Sequence, residues 1–206
     1  MTVQLDSMNA MVLDVLKEIG NIGAGNAATA LAKMIDKKVD MKVPKVTVME
    51  VQEVPELLGG EEVEVCGIFF KLDGDMEGSI MFLLTVDAAK TLIRLMMPGM
   101  DTGEIDDFAV SALKEIGNIL AGSYISSLSG LTNLGIKISI PSLALDMAGA
   151  ILSVPAVHFG LMGDKILIIQ NEFIECQENE SVEGFFFLIP EVDSYDTLLK
   201  SIGIEI

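Results

Sequence analysis

Leu16-Lys17-Glu18-Ile19-Gly20-Asn21-Ile22 recurs as Leu113-Lys114-Glu115-Ile116-Gly117-Asn118-Ile119, with all seven residues identical. Ala24-Gly25 matches Ala121-Gly122 at the same offset, and Val43-Pro44 matches Ile140-Pro141. Further on, Glu77-Gly78, Val86-Asp87 and Thr91-Leu92 return as Glu183-Gly184, Val192-Asp193 and Thr197-Leu198. The second offset is larger, which predicts an insertion in the second copy, an acidic and polar surface loop around Gln170 to Glu180. The chain is therefore read as two tandem copies of about a hundred residues.

The copies span about 8–97 and about 105–203, joined by the turn-rich Pro98-Gly99-Met100-Asp101-Thr102-Gly103. Similar halves pack about a pseudo-twofold axis as identical subunits do, so residues 1–206 are expected to form one unit with two related sites. Each copy reads helix, strand, hairpin, helix. In the first, Met8 to Ile35 carries helical periodicity and Lys45 to Val51 alternates like a strand. Glu62–Leu72 and Glu77–Val86 flank the hairpin signal Asp73-Gly74-Asp75, and Ala88–Met97 is a short amphipathic helix. The expected class is α+β, with long helices packed on an antiparallel sheet.

On a helical wheel with Asp14 at zero, Glu18 lies at about 40°, Asn21 at about −20° and Gly25 at about 20°. Val12, Val15, Leu16, Ile19 and Ile22 fill the opposite arc, which predicts burial. In the second copy Ser111, Glu115, Asn118 and Gly122 form the stripe, and Ala112, Leu113, Ile116 and Ile119 the buried arc. Most polar stripes are merely solvated. Here a mid-helix asparagine, whose side chain competes with the backbone, stands beside glycine, which costs about 1 kcal/mol relative to alanine. Gly20, Gly25, Gly117 and Gly122 would leave bare surface for close approach by a partner. Asparagine donates and accepts hydrogen bonds at once, which suits it to orient a water for in-line attack on phosphorus. Glutamate can hold a partner's cation. One Glu–Asn pair has too few hard ligands for magnesium, so no metal site is assigned and the rest of the chemistry must come with the substrate.

Asp or Ser, three residues, Glu, two residues, Asn, 22 residues and Pro occur twice: Asp14, Glu18, Asn21, Pro44 and Ser111, Glu115, Asn118, Pro141. This doubled pattern resembles the CheC/CheX/FliY family of response-regulator phosphatases, with CheC as the nearest match. The resemblance implies a substrate, the aspartyl phosphate of the regulator CheY. It implies that Asn21 and Asn118 position the attacking water and that Glu18 and Glu115 contact the regulator's lysine. It further implies that the chain has no cofactor of its own, that magnesium arrives bound to the regulator, and that the deamidase CheD is a partner. Asp14 and Ser111 would orient the glutamates or touch the partner, or else serve only as surface. Pro44 and Pro141 are expected to end the approach to the next element. The alternative is a non-catalytic chemotaxis adaptor or flagellar-switch protein, including a regulator of CheD.

Composition narrows the field. Acidic residues number 31 against 13 basic ones, a net charge of −18, and Arg94 is the sole arginine. No basic face is available for nucleic acid or an anionic membrane. Met1 to Asp6 has no basic, apolar leader, and the apolar run Leu143–Met162 is interrupted by Asp146, Pro155 and His158. A soluble cytoplasmic monomer is expected. Cys66 and Cys176 stand apart without clustered ligands and are read as reduced, half-buried thiols. Gly23-Ala24-Gly25-Asn26-Ala27-Ala28 imitates a dinucleotide fingerprint but lacks the strand before it. His158 has no nucleophile elbow nearby and is read as structural.

Overall fold

The computed structural model describes residues 10–36, 38–97, 99, 103–159, 165–175 and 180–203. The first half runs α1 (Ala10–Ile35), β1 (Val39–Glu50), a 3-10 turn (Val51–Glu53), α2 (Val54–Leu57), β2 (Glu64–Gly74), β3 (Gly78–Thr85) and α3 (Val86–Met96). The second runs α4 (Asp107–Thr132), β4 (Ile136–Ile138), β5 (Ser142–Met147), α5 (Ala148–Phe159), β6 (Lys165–Glu175), β7 (Glu180–Pro190) and α6 (Val192–Ser201). Two helices begin on side-chain caps: Thr85 accepts from the Ala88 amide at 3.1 Å, and Asp106 from the Ala109 amide at 2.9 Å. The expected long helix, the hairpin around Asp73-Gly74-Asp75 and the short helix after it are all present.

A seven-stranded sheet has the order β1-β6-β7-β3-β2-β4, with β5 also on β2, and every pairing is antiparallel. The order reads the same from either end when β1 is exchanged for β4 and β5, β2 for β6, and β3 for β7. Each half's hairpin takes its outer neighbour from the other half: β1 pairs with β6, and β4 and β5 pair with β2. The halves are thereby interlaced.

The sheet is covered on both faces. Along β3, Ile80, Phe82 and Leu84 point into the main core, and Met81 and Leu83 into a second. The main core holds Leu16, Ile19, Ala24, Ala27 and Leu31 of α1 and Leu113, Ile116, Leu120 and Tyr124 of α4, together with residues of α3 and α6. The second core holds Val54 and Leu58 with Ala148, Ile151 and Leu152. Burial on both faces is why these strands read as almost unbroken apolar runs.

Four expectations are corrected. Gln170 to Glu175 is not loop but the end of β6, paired on both sides with β1 and β7, while 176–179 lie outside the described residues. Polar residues persist in this strand because Gln170 bonds Glu183 across the hairpin at 3.2 Å and Asn171 finds a buried partner, described below. Helix α5 was unforeseen, since an apolar run without a period hides where strand yields to helix. Pro44 does not end an approach: β1 continues through it, and the ladder with β6 shifts register between Lys42 and Lys45. A residue without an amide hydrogen is tolerated at such an irregularity on an edge strand. Pro141 does sit in a break, between β4 and β5, where the Ser139 hydroxyl accepts from the Lys71 amide at 2.9 Å. Cys66 is fully buried and free rather than half-buried; Cys176 lies outside the described residues.

Candidate functional site

Helices α1 and α4 lie side by side on the same face of the sheet. Their contact is close because Gly23 stands where any side chain would collide: a Cβ there would meet Tyr124 Cδ1 at 3.0 Å and Tyr124 Cα at 3.1 Å. One turn on, the Asn26 amide nitrogen donates to the Ser127 hydroxyl at 3.3 Å. Tyr124 is pinned from below. Its hydroxyl donates to Asn171 Oδ1, Asn171 Nδ2 donates to the Ile169 carbonyl at 2.9 Å, and its ring stacks on Phe186 with centroids 4.5 Å apart. Burial raises the pKa of this phenol, so it stays a neutral donor. Sequence reasoning missed the pair. The available signal was the polar run Gln170-Asn171-Glu172 between the apolar Ile166–Ile169 and Phe173-Ile174.

The faces turned away from the sheet carry the polar stripes. Asp14, Glu18, Asn21 and Gly25 are exposed on α1; Ser111, Glu115 and Asn118 are exposed on α4, with Gly122 half-buried. Among the described residues, the side chains of Glu18, Asn21, Glu115 and Asn118 make no hydrogen bond or ion pair within the chain. Ser111 does: its hydroxyl donates to the Asp107 carbonyl at 2.9 Å, so it is held to its own helix rather than to Glu115. Of the opposite arc, Leu16, Ile19, Ala112, Leu113 and Ile116 are buried as expected, Val15 and Ile119 are half-buried, Ile22 is 41% exposed, and the Val12 side chain lies outside the described residues. Beyond Ile19 the buried sector passes through Gly20, Gly23, Ala24 and Ala27, which rotates it away from Ile22.

The glycines divide into two kinds. Gly20 and Gly117 are buried against the sheet, not bared to a partner. A Cβ at Gly20 would lie 3.5 Å from Ile169 and Val43, and one at Gly117 would lie 3.0 Å from Ile68. Gly25 and Gly122 have nothing within 4 Å of that position, and these two keep the surface beside the asparagines low.

The arrangement presents two carboxylate–amide pairs, each one helical turn long, on surfaces open to a macromolecule. Among the described residues no group of three or more His, Cys, Asp or Glu side chains gathers where a metal could be held. Gly23 to Ala28 lies within α1, without the strand and turn a dinucleotide site requires. His158 falls in α5, its side chain outside the described residues. No helix among the described residues is long and apolar enough to cross a membrane.

Residues 11–48 match the CheC-like family, and residues 66–159 match the chemotaxis phosphatase CheX family. The chain is 34% identical over 195 residues to the CheY-P phosphatase CheC of Bacillus subtilis (strain 168), covering 93% of each chain. It is 22% identical over 192 residues to a putative CheY-P phosphatase CheC1 of Halobacterium salinarum, covering 92% of this chain and 95% of that one. In fold it is similar to Thermotoga maritima FliY, with a TM-score of 0.74 at 22% identity, covering 95% of this chain and 99% of that one.

Proposed function

The chain belongs to the CheC-like family, and from that premise we propose that it is a phosphatase acting on the aspartyl phosphate of the response regulator CheY. The observation that carries this reading is the doubled stripe. Glu18 with Asn21 and Glu115 with Asn118 stand exposed at one spacing on neighbouring helices, uncommitted within the chain.

The chemistry asks little of the protein beyond position. Water attacks phosphorus in line, the bond from phosphorus to the aspartyl oxygen breaks, and inorganic phosphate and a free carboxylate result. The leaving carboxylate is weakly basic, with a conjugate acid of pKa about 4, so it needs no general acid. Asn21 or Asn118 reaches into the regulator's site and holds the water through its amide oxygen and nitrogen. Placement of this kind is worth about 10²-fold for an error of about 1 Å. Glu18 or Glu115 pairs with the regulator's lysine and fixes the approach, and the low surface at Gly25 or Gly122 lets the two backbones close. Magnesium comes with the regulator and neutralises the phosphoryl oxygens. Asp14 adds negative charge beside Glu18, whereas Ser111, Pro44 and Pro141 shape the scaffold. We further propose that the protein is a cytoplasmic monomer, that its two tandem repeats form one unit, and that CheD is a partner.

The test is the decay of phospho-CheY in magnesium buffer, with and without the chain at substoichiometric concentration. Multiple turnovers per chain are expected. No acceleration, with or without CheD, would refute the phosphatase and leave the adaptor role.

A further inference from the structure

We propose that Phe108 is a docking anchor for the phosphorylated regulator at the α4 site, an inference that rests on the phosphatase reading. Phe108 lies in the first turn of α4 and is 56% exposed. It precedes Glu115 by seven residues and Asn118 by ten. On the helical wheel it falls about 20° from Glu115, on the stripe itself. At ~1.5 Å per residue its backbone stands ~10 Å along the axis from Glu115 and ~15 Å from Asn118. A partner that covers ~800 Å² has a footprint of roughly 16 Å radius, and centred on Glu115, between Phe108 and Asn118, it holds both well inside its edge.

Among the described residues the ring belongs to neither core cluster. Asp106 caps the helix through the Ala109 amide. The two positions that staple a helix start are Ile105 and Val110, both half-buried, with Ile105 packed on the main core. Every other phenylalanine whose exposure is described is buried or half-buried. Solitary exposed apolar residues are common on protein surfaces. Phe108 differs in lying in line with a Glu–Asn pair on a continuous face. Aromatic anchors carry a disproportionate share of binding energy at such interfaces. The corresponding position in the first repeat's sequence is Met11, a flexible thioether in place of a rigid ring. The two sites therefore hold the regulator with different strength.

The experiment compares phosphatase kinetics in two single-site backgrounds of the full chain. In Asn21→Ala, where only the α4 site is intact, adding Phe108→Ala is expected to raise KM about tenfold with kcat within twofold. With Glu18→Ala added to this background so that α1 no longer docks the regulator, binding of CheY activated with beryllofluoride and magnesium weakens by the same factor. In Asn118→Ala, where only the α1 site is intact, adding Phe108→Ala moves neither constant. Unchanged KM and binding in the first background would overturn the anchor and leave the phosphatase standing. Equal increases in both backgrounds would mark general damage and overturn it too. Absence of turnover in the unmodified chain would overturn the phosphatase reading and, with it, the anchor.

Discussion

The Tyr124 hydroxyl donates to Asn171 Oδ1, joining the middle of α4 to the strand beneath it through two buried polar groups. Asn171 is 1% exposed, so no solvent can replace the phenol if it is lost. Tyr124→Phe is expected to destabilise the fold by about 1–3 kcal/mol, the cost of an orphaned buried acceptor. Adding Asn171→Leu removes the orphan and should recover most of that loss. Urea unfolding of the two singles and the double measures the coupling, and a double variant no more stable than Tyr124→Phe would contradict it.

Asn21→Ala together with Asn118→Ala should reduce phosphatase activity about 10²-fold or more, with either single change retaining part of it. Both side chains are exposed, so the circular dichroism spectrum and the melting temperature should not move. Phospho-CheY decay read alongside the spectra decides the matter. Full activity in the folded double variant would remove asparagine from the mechanism.

Gly20 and Gly117 occupy matching places in the repeat but should respond differently to alanine. At Gly20 the new methyl meets ordinary contacts at 3.5 Å, so the gain in helix propensity should stabilise by up to about 1 kcal/mol. At Gly117 it meets Ile68 at 3.0 Å, beneath a side chain with no exposure, and the crowding should destabilise by roughly 1 kcal/mol net. Thermal melts of the two variants should shift in opposite directions.

Burial pushes the Cys66 thiol from 9.0 up to about 12. A raised folded pKa means that the stabilising contribution is complete below pH about 9, where both states are protonated. It is lost as pH rises toward about 12, because the unfolded chain releases the proton first. Stability against pH between those limits should fall more steeply in the native chain than in Cys66→Ala. The expected difference is about 1.4 kcal/mol per pH unit, measured by denaturant unfolding in alkaline buffers.

The stripe was legible because it depends only on helical spacing, and α1 and α4 are long enough for that spacing to repeat. The hairpin at Asp73-Gly74-Asp75 was legible from turn chemistry alone. The role of Gly20 was not, since a missing side chain reads alike whether it faces a partner or, as here, Ile169. Ile22 misled for a related reason: the wheel weighs side-chain polarity, whereas the packing of α1 is set by small residues that admit Tyr124. The strand at Gln170 to Glu175 looked like loop because its polar residues are satisfied by groups distant in sequence, at Tyr124 and Glu183. No local pattern tells which hairpin β1 will join.

That last pairing decides how such a protein can lose a function. Because β1 completes the sheet around β6, and β4 and β5 complete it around β2, neither half can be deleted without unravelling the other. A lineage that no longer needs one of the two asparagines can discard it only by point substitution, keeping the silent helix as scaffolding. Relatives with a single working site should therefore still carry two full-length copies of the architecture, one of them blank.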